Sequence, residues 1–228
     1  PVAPWSEVTP HLGWLLLGSL LGAGLVNAGP LAINILADKE QSALVTAFGN
    51  GVLLSRVPLF LFQAVQAALL PRLARLAAQG DLDEFRSGFR RLMQVVIAVG
   101  IIGTLGSFVA GPALLRIVYD DILDRGSLTM LALGSALYMV ALATAQAVIA
   151  LNGHARVGLG WLLGMVTFVG CTWLASDDLY TRVEIGLVTS SVVALIVFAY
   201  SLRELLNAGA LMSPDSLSDA LSDHPFET

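Results

Sequence analysis

The stretch from Leu54 to Asp81 reads LSRVPLFLFQAVQAALLPRLARLAAQGD, and it decides the fold that we predict for the chain. It begins inside an apolar run that contains Arg56 and Pro58, and it becomes basic after Pro71. A charge within a membrane-length apolar helix, followed by a basic amphipathic segment, does not fit the core of a water-soluble domain. The stretch therefore predicts a helix that crosses a membrane and continues along its surface.

The composition of the whole chain points the same way. Of 228 residues, 56% are hydrophobic and 13% are charged, whereas a soluble domain has roughly 25% charged residues. The mean hydropathy is +0.79. So few charges cannot surround one or two globular cores with a water-compatible surface. We expect an all-α polytopic membrane protein.

Six segments have the roughly 20 apolar residues that a transmembrane helix needs. They cover about residues 12–36, 44–70, 92–109, 127–151, 157–175 and 185–205. The third continues as a helix towards Tyr119. Residues 1–11 are interpreted as a cytoplasmic lead-in, and residues 207–228 as a disordered acidic tail. The chain begins with proline, so we expect it to be a piece of a longer polypeptide.

The charge of the connections alternates along the chain. The second and fourth connections hold the basic residues Arg72, Arg75, Arg86, Arg90, Arg91, His154 and Arg156. The first, third and fifth hold the acidic residues Asp38, Glu40, Asp120, Asp121, Asp124, Asp177, Asp178 and Glu184. The positive-inside rule then places the even connections and both ends of this segment in the cytoplasm.

Residues 72–91 are predicted to form an amphipathic cytoplasmic helix. Gly80 interrupts it, and Asp81 with Glu84 resembles a capping box that opens a new helix. An apolar stripe that runs from Leu82 to Leu92 would face the acyl chains, as in interfacial helices. The arginines Arg72, Arg75, Arg86, Arg90 and Arg91 are candidate lipid contacts. The segment either anchors the protein at the membrane surface or binds a lipid diphosphate directly.

Arg56 is the sharpest functional signal. An arginine near the middle of a span costs about 2.5–3.5 kcal/mol on insertion scales, so it should face a bundle interior or a wet cavity. Gln63 and Gln66 follow on nearly the same helical face, and Pro58 permits a hinge. The alternative is an arginine paired with structural carbonyls or with an acid of a neighbouring lobe.

Polar and small residues in other spans are candidates either for substrate contact or for packing between helices. Asn27 and Asn34 are seven residues apart on one face of the first span, where they could contact a substrate or join helices. Gly160 and Gly164 form a Gly-x-x-x-Gly packing signal of low specificity.

Enzymatic chemistry has little support. The acids Asp120, Asp121 and Asp124 could bind a divalent cation, but a solvated acidic loop accounts for them equally. The histidines lack metal-ligand spacing, Cys171 has no nearby base, and no phosphate-binding loop precedes a Lys-Ser or Lys-Thr pair. We therefore predict no catalytic residue, metal or cofactor, and no nucleic-acid partner.

The stretch that follows Arg56 resembles polysaccharide biosynthesis proteins. These are repeat-unit flippases of the multidrug/oligosaccharidyl-lipid/polysaccharide (MOP) exporter superfamily. The resemblance rests on the steps Leu70-Pro71-Arg72-Leu73, Gly80-Asp81 and Tyr119-Asp120, and it is recognisable over about residues 12–151. Arginine-rich, lysine-poor usage is similar to actinobacterial members.

The resemblance implies two six-helix lobes around a central cavity, of which this chain would be the second. The expected substrate is an undecaprenyl-diphosphate-linked oligosaccharide that crosses the bacterial inner (plasma) membrane. Arg56 would hold the diphosphate, Gln63 and Gln66 would contact sugar hydroxyls, and Asn27 and Asn34 would line the neighbouring helix. Implied partners are a second lobe, upstream or in a dimer, membrane lipids and glycan polymerase machinery.

Two other functions stay open. A multidrug or cation exporter of the same superfamily should carry an acid within its spans, and the first two spans have none. A non-transporting membrane scaffold predicts that Arg56 can be replaced without loss of export.

Overall fold

A computed structural model describes the backbone of residues 5–211 and the side chains of residues 13–63, 66, 67 and 71–209. The rest, including residues 212–228 of the predicted tail and the start of the lead-in, lies outside the described residues. The elements of the described part are all helical. They are α1 (Trp5–Leu36), a short 3₁₀ turn (Lys39–Gln41), α2 (Ser42–Ser55), α3 (Val57–Gln79), α4 (Leu82–Tyr119), α5 (Arg125–Ala150), α6 (His154–Leu174) and α7 (Leu179–Leu211).

Six of the described helical segments are long and apolar enough to cross a membrane, with α2 and the start of α3 together forming the second. Their outer surface is strongly apolar, as lipid requires. Large exposed side chains on it include Ile35, Ile102, Val109, Ile117 and Trp173. The prediction of an all-α polytopic membrane protein is confirmed.

Helix α5 lies at the centre of the bundle, packed against α3, α4 and α7. It can do so because many of its buried residues are small, which lets neighbouring backbones approach closely. They include Ala132, Gly134, Ala141, Ala143, Ala145 and Ala147. Helix α6 packs against α7 and α1, and α1 also contacts α7 and α2.

The Gly-x-x-x-Gly pair packs α6 against its neighbours, as its sequence predicted. A Cβ atom at Gly160 would collide with the ring of Phe198 on α7, and one at Gly164 would lie 3.2 Å from the carbonyl oxygen of Ser190. Trp161 meets Phe198 edge-on, with ring centroids 4.9 Å apart.

The region around Pro71 differs from the prediction. Helix α3 runs through Pro71 to Gln79, so residues 72–91 do not begin a new helix after Pro71. They form the end of α3 and the beginning of α4, separated at Gly80, which has φ 74°. Half of the predicted capping box is present: Asp81 Oδ1 accepts a hydrogen bond from the Glu84 amide at 3.0 Å, whereas the Glu84 side chain accepts from Arg72 and the Asp81 amide donates to the Leu76 carbonyl.

The apolar stripe of this region also faces differently from our expectation. Phe85 and Leu92 are fully buried in the protein core, together with Leu73 and Leu76 at the end of α3. The reason is that α3 and α4 form a tight antiparallel pair: a Cβ atom at Gly88 would lie 3.2 Å from the Leu73 side chain. The stripe therefore packs on protein rather than on acyl chains.

The connections gather at two ends of the bundle according to their charge. At one end Arg86 donates to the Leu206 carbonyl at 3.3 Å, and Arg156 pairs with Glu204 at 2.7 Å. We call this the basic end; it holds the α3–α4 and α5–α6 connections and the last turns of α7. At the other, acidic end, Asn50 donates to Asp121 at 2.9 Å.

Candidate functional site

Helix α1 contains a proline that leaves one carbonyl without its usual donor. Pro30 has no N–H group, so the Val26 carbonyl, four residues earlier, lacks an intrahelical hydrogen bond. The Arg56 Nη2 group donates to that oxygen. An arginine of the second span thus supplies the hydrogen bond that α1 cannot make for itself.

A one-residue interruption of the second span presents Arg56 to α1. Helix α2 ends at Ser55 and α3 begins at Val57, while the Arg56 amide still donates to the Val52 carbonyl at 3.1 Å. Pro58 is the second residue of α3, a position that tolerates its missing donor. Its ring packs on α4, where a Cβ atom at Gly103 would lie 2.5 Å away. The interruption lies two residues before Pro58, the predicted hinge.

Asn27 is the second partner of Arg56. The Asn27 Nδ2 group donates to the Ala23 carbonyl at 2.9 Å, which turns the amide oxygen towards Arg56. Arg56 Nη1 donates to that oxygen at 3.3 Å. These bonds use two of the five N–H donors of a guanidinium. No acid forms an ion pair with Arg56 within the described part of the chain.

A small cavity of about 30 Å³ adjoins Arg56 between α1, α2, α5 and α7. Tyr138 and Ser191 contribute polar groups to its lining. The Tyr138 hydroxyl donates to the Gly22 carbonyl at 3.0 Å, one turn before Val26. Helix α1 is therefore held at consecutive turns by polar groups from two other helices. The cavity has room for about one or two water molecules.

A second cavity, of about 340 Å³, leads from the basic end towards Arg56 between α1, α5 and α6. Ser19, Gln146 and His154 line it, and Tyr138 and Val26 line both cavities. Sequence reasoning missed this site. The available signal was the spacing of Tyr138 and Gln146, eight residues apart on one face of α5.

The other predicted substrate residues are not gathered around Arg56. Gln63 and Asn34 are exposed, and Gln66 is half-buried. None of the three lines the Arg56 cavity. The structure thus joins Arg56 and Asn27, and it leaves Asn34, Gln63 and Gln66 on other parts of α1 and α3.

Glu184 is placed differently from our expectation of a loop acid. Helix α7 begins at Leu179 rather than near Ile185, so Glu184 lies inside the helix. Its side chain is buried, with 5% exposure, and its Oε1 atom has no hydrogen-bond partner among the described residues. A buried carboxyl without full hydrogen bonding is costly, which makes Glu184 a candidate functional group.

The acids of the third connection have structural partners. Asp121 accepts from Asn50, and Asp124 caps α5 by accepting from the Ser127 amide at 3.0 Å. Partial burial raises the pKa of Asp124, but the hydrogen bonds from Ser127 bring it below its ordinary value. Among the described residues, no group of three or more His, Cys, Asp or Glu side chains is placed to hold a metal ion.

The arginines predicted to contact lipid divide into two groups. Arg72 pairs with Glu84 at 2.6 Å and so joins α3 to α4, whereas Arg86 pairs with Asp83 at 3.0 Å within the first turns of α4. Arg75, Arg90 and Arg91 are exposed and are absent from the ion pairs of the described residues.

Comparison with known proteins adds no identification: no protein-family model matches the sequence, and no curated protein or solved structure is similar to it.

Proposed function

We propose that this chain is one six-helix lobe of a transporter that flips a lipid-diphosphate-linked oligosaccharide across the bacterial inner membrane. The basic end would be cytoplasmic, and a second lobe would face this one. The observation that carries the proposal is Arg56: a guanidinium inside a membrane-spanning bundle, held by neutral oxygens and adjoining a small cavity to which Tyr138 and Ser191 contribute polar groups.

The chemistry of the substrate requires such a group. A diphosphate that crosses about 30 Å of hydrocarbon needs a cation held away from bulk water, and arginine binds phosphate oxygens in bidentate geometry. Arg56 keeps donors beyond the two that bond α1. Because its bonding partners are uncharged, its positive charge is not cancelled within this lobe.

The glycan itself needs more room than this lobe encloses. Cavities of about 30 and 340 Å³ are too small for an oligosaccharide. The exposed residues Asn34 and Gln63 would then face the second lobe and contact sugar hydroxyls in a cavity between lobes. Rocking of the two lobes about a midplane site would give alternating access.

Export by the full-length protein tests the proposal. Cells that depend on it would carry Arg56→Gln, Arg56→Lys or the control Arg75→Gln, which replaces an exposed arginine at the basic end. Outer-leaflet glycan is measured with a lectin, and protein abundance by immunoblot. We expect Arg56→Gln to lose export at normal abundance, Arg56→Lys to retain part of it, and Arg75→Gln to behave as wild type.

Full export by Arg56→Gln at normal abundance would contradict the proposal and favour a membrane scaffold. Equal loss in Arg56→Gln and Arg75→Gln would also contradict it, because export would then depend on general positive charge rather than on the Arg56 site.

Glu184 favours a second candidate, a cation-coupled exporter. That function needs an acid within a span, and the buried carboxyl in α7 is such a group. We expect it to require Glu184: Glu184→Gln would abolish extrusion of ethidium from cells that express the full-length protein, whereas Asp177→Asn, at an exposed acid of the same end, would not. Absence of ethidium extrusion by the wild-type protein would rule this candidate out.

A further inference from the structure

A groove opens at the basic end between α4 and α7. Both helices pack along α5 but barely touch each other, which leaves a groove of about 570 Å³. Arg86 and Arg90 of α4 and Arg203 of α7 form its rim, and apolar side chains such as Met93 and Leu195 form its floor. We call this the basic groove.

Two of the three arginines on the rim have no ion-pair partner among the described residues. Arg86 is fixed by Asp83 and by the Leu206 carbonyl, which ties the start of α4 to the end of α7. Arg90 and Arg203 are exposed, and neither belongs to an ion pair of the described residues. The acid beside Arg203, Glu204, is engaged by Arg156.

The length of α4 sets the depth of the rim. Its 38 residues span about 57 Å at roughly 1.5 Å per residue, well beyond a hydrocarbon core of about 30 Å. With the apolar run that begins at Leu92 in the hydrocarbon, Arg86 and Arg90 would lie beyond it at the basic end. This is the level at which lipid phosphates would lie.

An apolar groove continues from the basic groove towards the middle of the bundle. It lies between α4 and α5, has a volume of about 490 Å³, and shares Val140 with the basic groove. Ile97, Ile101 and Leu137 line it. Its hydroxyl group, on Thr104, is already bonded to the Gly100 carbonyl at 2.9 Å. This groove offers nothing to a polar ligand and suits a hydrocarbon chain.

We propose that the basic groove binds the phosphate of an anionic phospholipid whose acyl chain lies in the apolar groove. Arginines pair strongly with phosphate oxygens, and basic pockets between transmembrane helices hold anionic head groups. A lipid bound here bridges α4 and α7, which make few contacts of their own. It would stabilise the basic end of the bundle.

This lipid is distinct from the proposed cargo. At 100° per residue, Val140 and Thr144 of the basic groove lie on the face of α5 opposite to Ser135 and Tyr138, which line the Arg56 cavity. The basic groove also involves neither α1 nor α2. The site therefore holds a resident lipid, and its failure would leave the proposed function untouched.

Lipid titration of the purified full-length protein tests the proposal. Delipidated protein in detergent receives phosphatidylglycerol, phosphatidylcholine with the same acyl chains, or soluble glycerol 1-phosphate. Native mass spectrometry counts bound lipid, and thermal unfolding reports stability. We expect phosphatidylglycerol to bind and raise the unfolding temperature, and the other two to do neither.

Two matched double variants locate the site. Arg90→Gln/Arg203→Gln should weaken phosphatidylglycerol binding roughly tenfold to thirtyfold, from the contribution of two arginines near a lipid phosphate. Arg75→Gln/Arg91→Gln removes two exposed arginines of the same end outside the groove, and it should bind as wild type. Arg86 is left in place because its bonds hold the groove together.

Three results would overturn the proposal. One is equal binding of phosphatidylcholine and phosphatidylglycerol by the wild-type protein, a comparison that depends on no variant. The second is equal loss of binding in the two double variants. The third is the full thermal effect from glycerol 1-phosphate alone, which would leave the apolar groove without a role.

Discussion

Arg56 lies inside the bundle, where two oxygens of α1 hold its guanidinium, whereas Arg90 lies at the basic end beside an open groove. Both are arginines without an acidic partner among the described residues. Their surroundings differ: the Val26 carbonyl of α1 has no intrahelical donor and bonds Arg56, whereas the described residues that line the basic groove include three arginines and no acidic side chain. The first arginine therefore has a structural duty in the isolated lobe, and the second does not.

Replacing each arginine by glutamine should give the largest expected difference, which is a difference in the free energy of unfolding. Arg56→Gln removes a charged donor and leaves the Val26 carbonyl unsatisfied, so we expect the free energy of unfolding to fall by about 2 kcal/mol. Arg90→Gln, at an exposed site, should change it by less than about 0.5 kcal/mol. Reversible unfolding of both variants in the same detergent, without added lipid, measures the difference. Similar values for the two would refute the distinction.

A second substitution tests whether Arg56 stabilises the lobe because Pro30 leaves the Val26 carbonyl without a donor. Pro30→Ala returns an N–H group to α1, opposite the Val26 carbonyl. It should stabilise the Arg56→Gln protein by about 1–2 kcal/mol more than it stabilises wild type, because only the variant has an unsatisfied acceptor. A double-mutant cycle on unfolding free energies gives this coupling. A coupling near zero would show that Arg56 stabilises the lobe in some other way.

The same pair of variants separates stability from transport. If Arg56 binds the diphosphate, the protein with both Pro30→Ala and Arg56→Gln should recover stability and still fail to export glycan. If this protein recovered both its stability and glycan export, Arg56 would serve only to bond the Val26 carbonyl. The proposed function would then lose its main support.

Tyr138 tests whether α1 is held at two turns or at one. Tyr138→Phe removes the hydrogen bond to the Gly22 carbonyl but keeps the ring that stacks near Trp161, with centroids 5.3 Å apart. We expect a loss of about 1 kcal/mol in unfolding free energy, smaller than for Arg56→Gln because the Gly22 carbonyl keeps its intrahelical donor. A loss as large as that of Arg56→Gln would contradict the special role of Val26.

Much of the architecture could be predicted from the sequence because lipid imposes simple demands. Span length fixed the six membrane helices, and Gly80 and Asp81 marked a helix boundary through local backbone chemistry. In each case the signal lies within a few residues and does not depend on a distant partner. The sequence offered Pro58 as a hinge, but it did not predict that the second span divides at Arg56.

The errors have a common origin in tertiary contacts. The stripe of Phe85 and Leu92 looks the same whether it faces lipid or protein, and only the pairing of α3 with α4 decides between them. Likewise Glu184 is a loop acid by charge pattern, yet packing of α7 places it inside a helix and buries it. The role of Pro30 needed the structure, since the donor for Val26 comes from thirty residues away.

The ion pairs of the basic end should have the smallest effect of all. Arg72 and Glu84 lie 2.6 Å apart, but their side chains are 59% and 49% exposed, and exposed pairs contribute about 0–1 kcal/mol. We expect Glu84→Gln to lower the unfolding free energy by less than about 1 kcal/mol, and 1 M salt to remove most of the difference because it shortens the screening length to about 3 Å.

The loss from Arg56→Gln should persist in the same salt, since its partner is a backbone carbonyl rather than an opposite charge. A salt-sensitive Arg56→Gln effect would mean that Arg56 acts through charge pairing, like the arginines of the basic end.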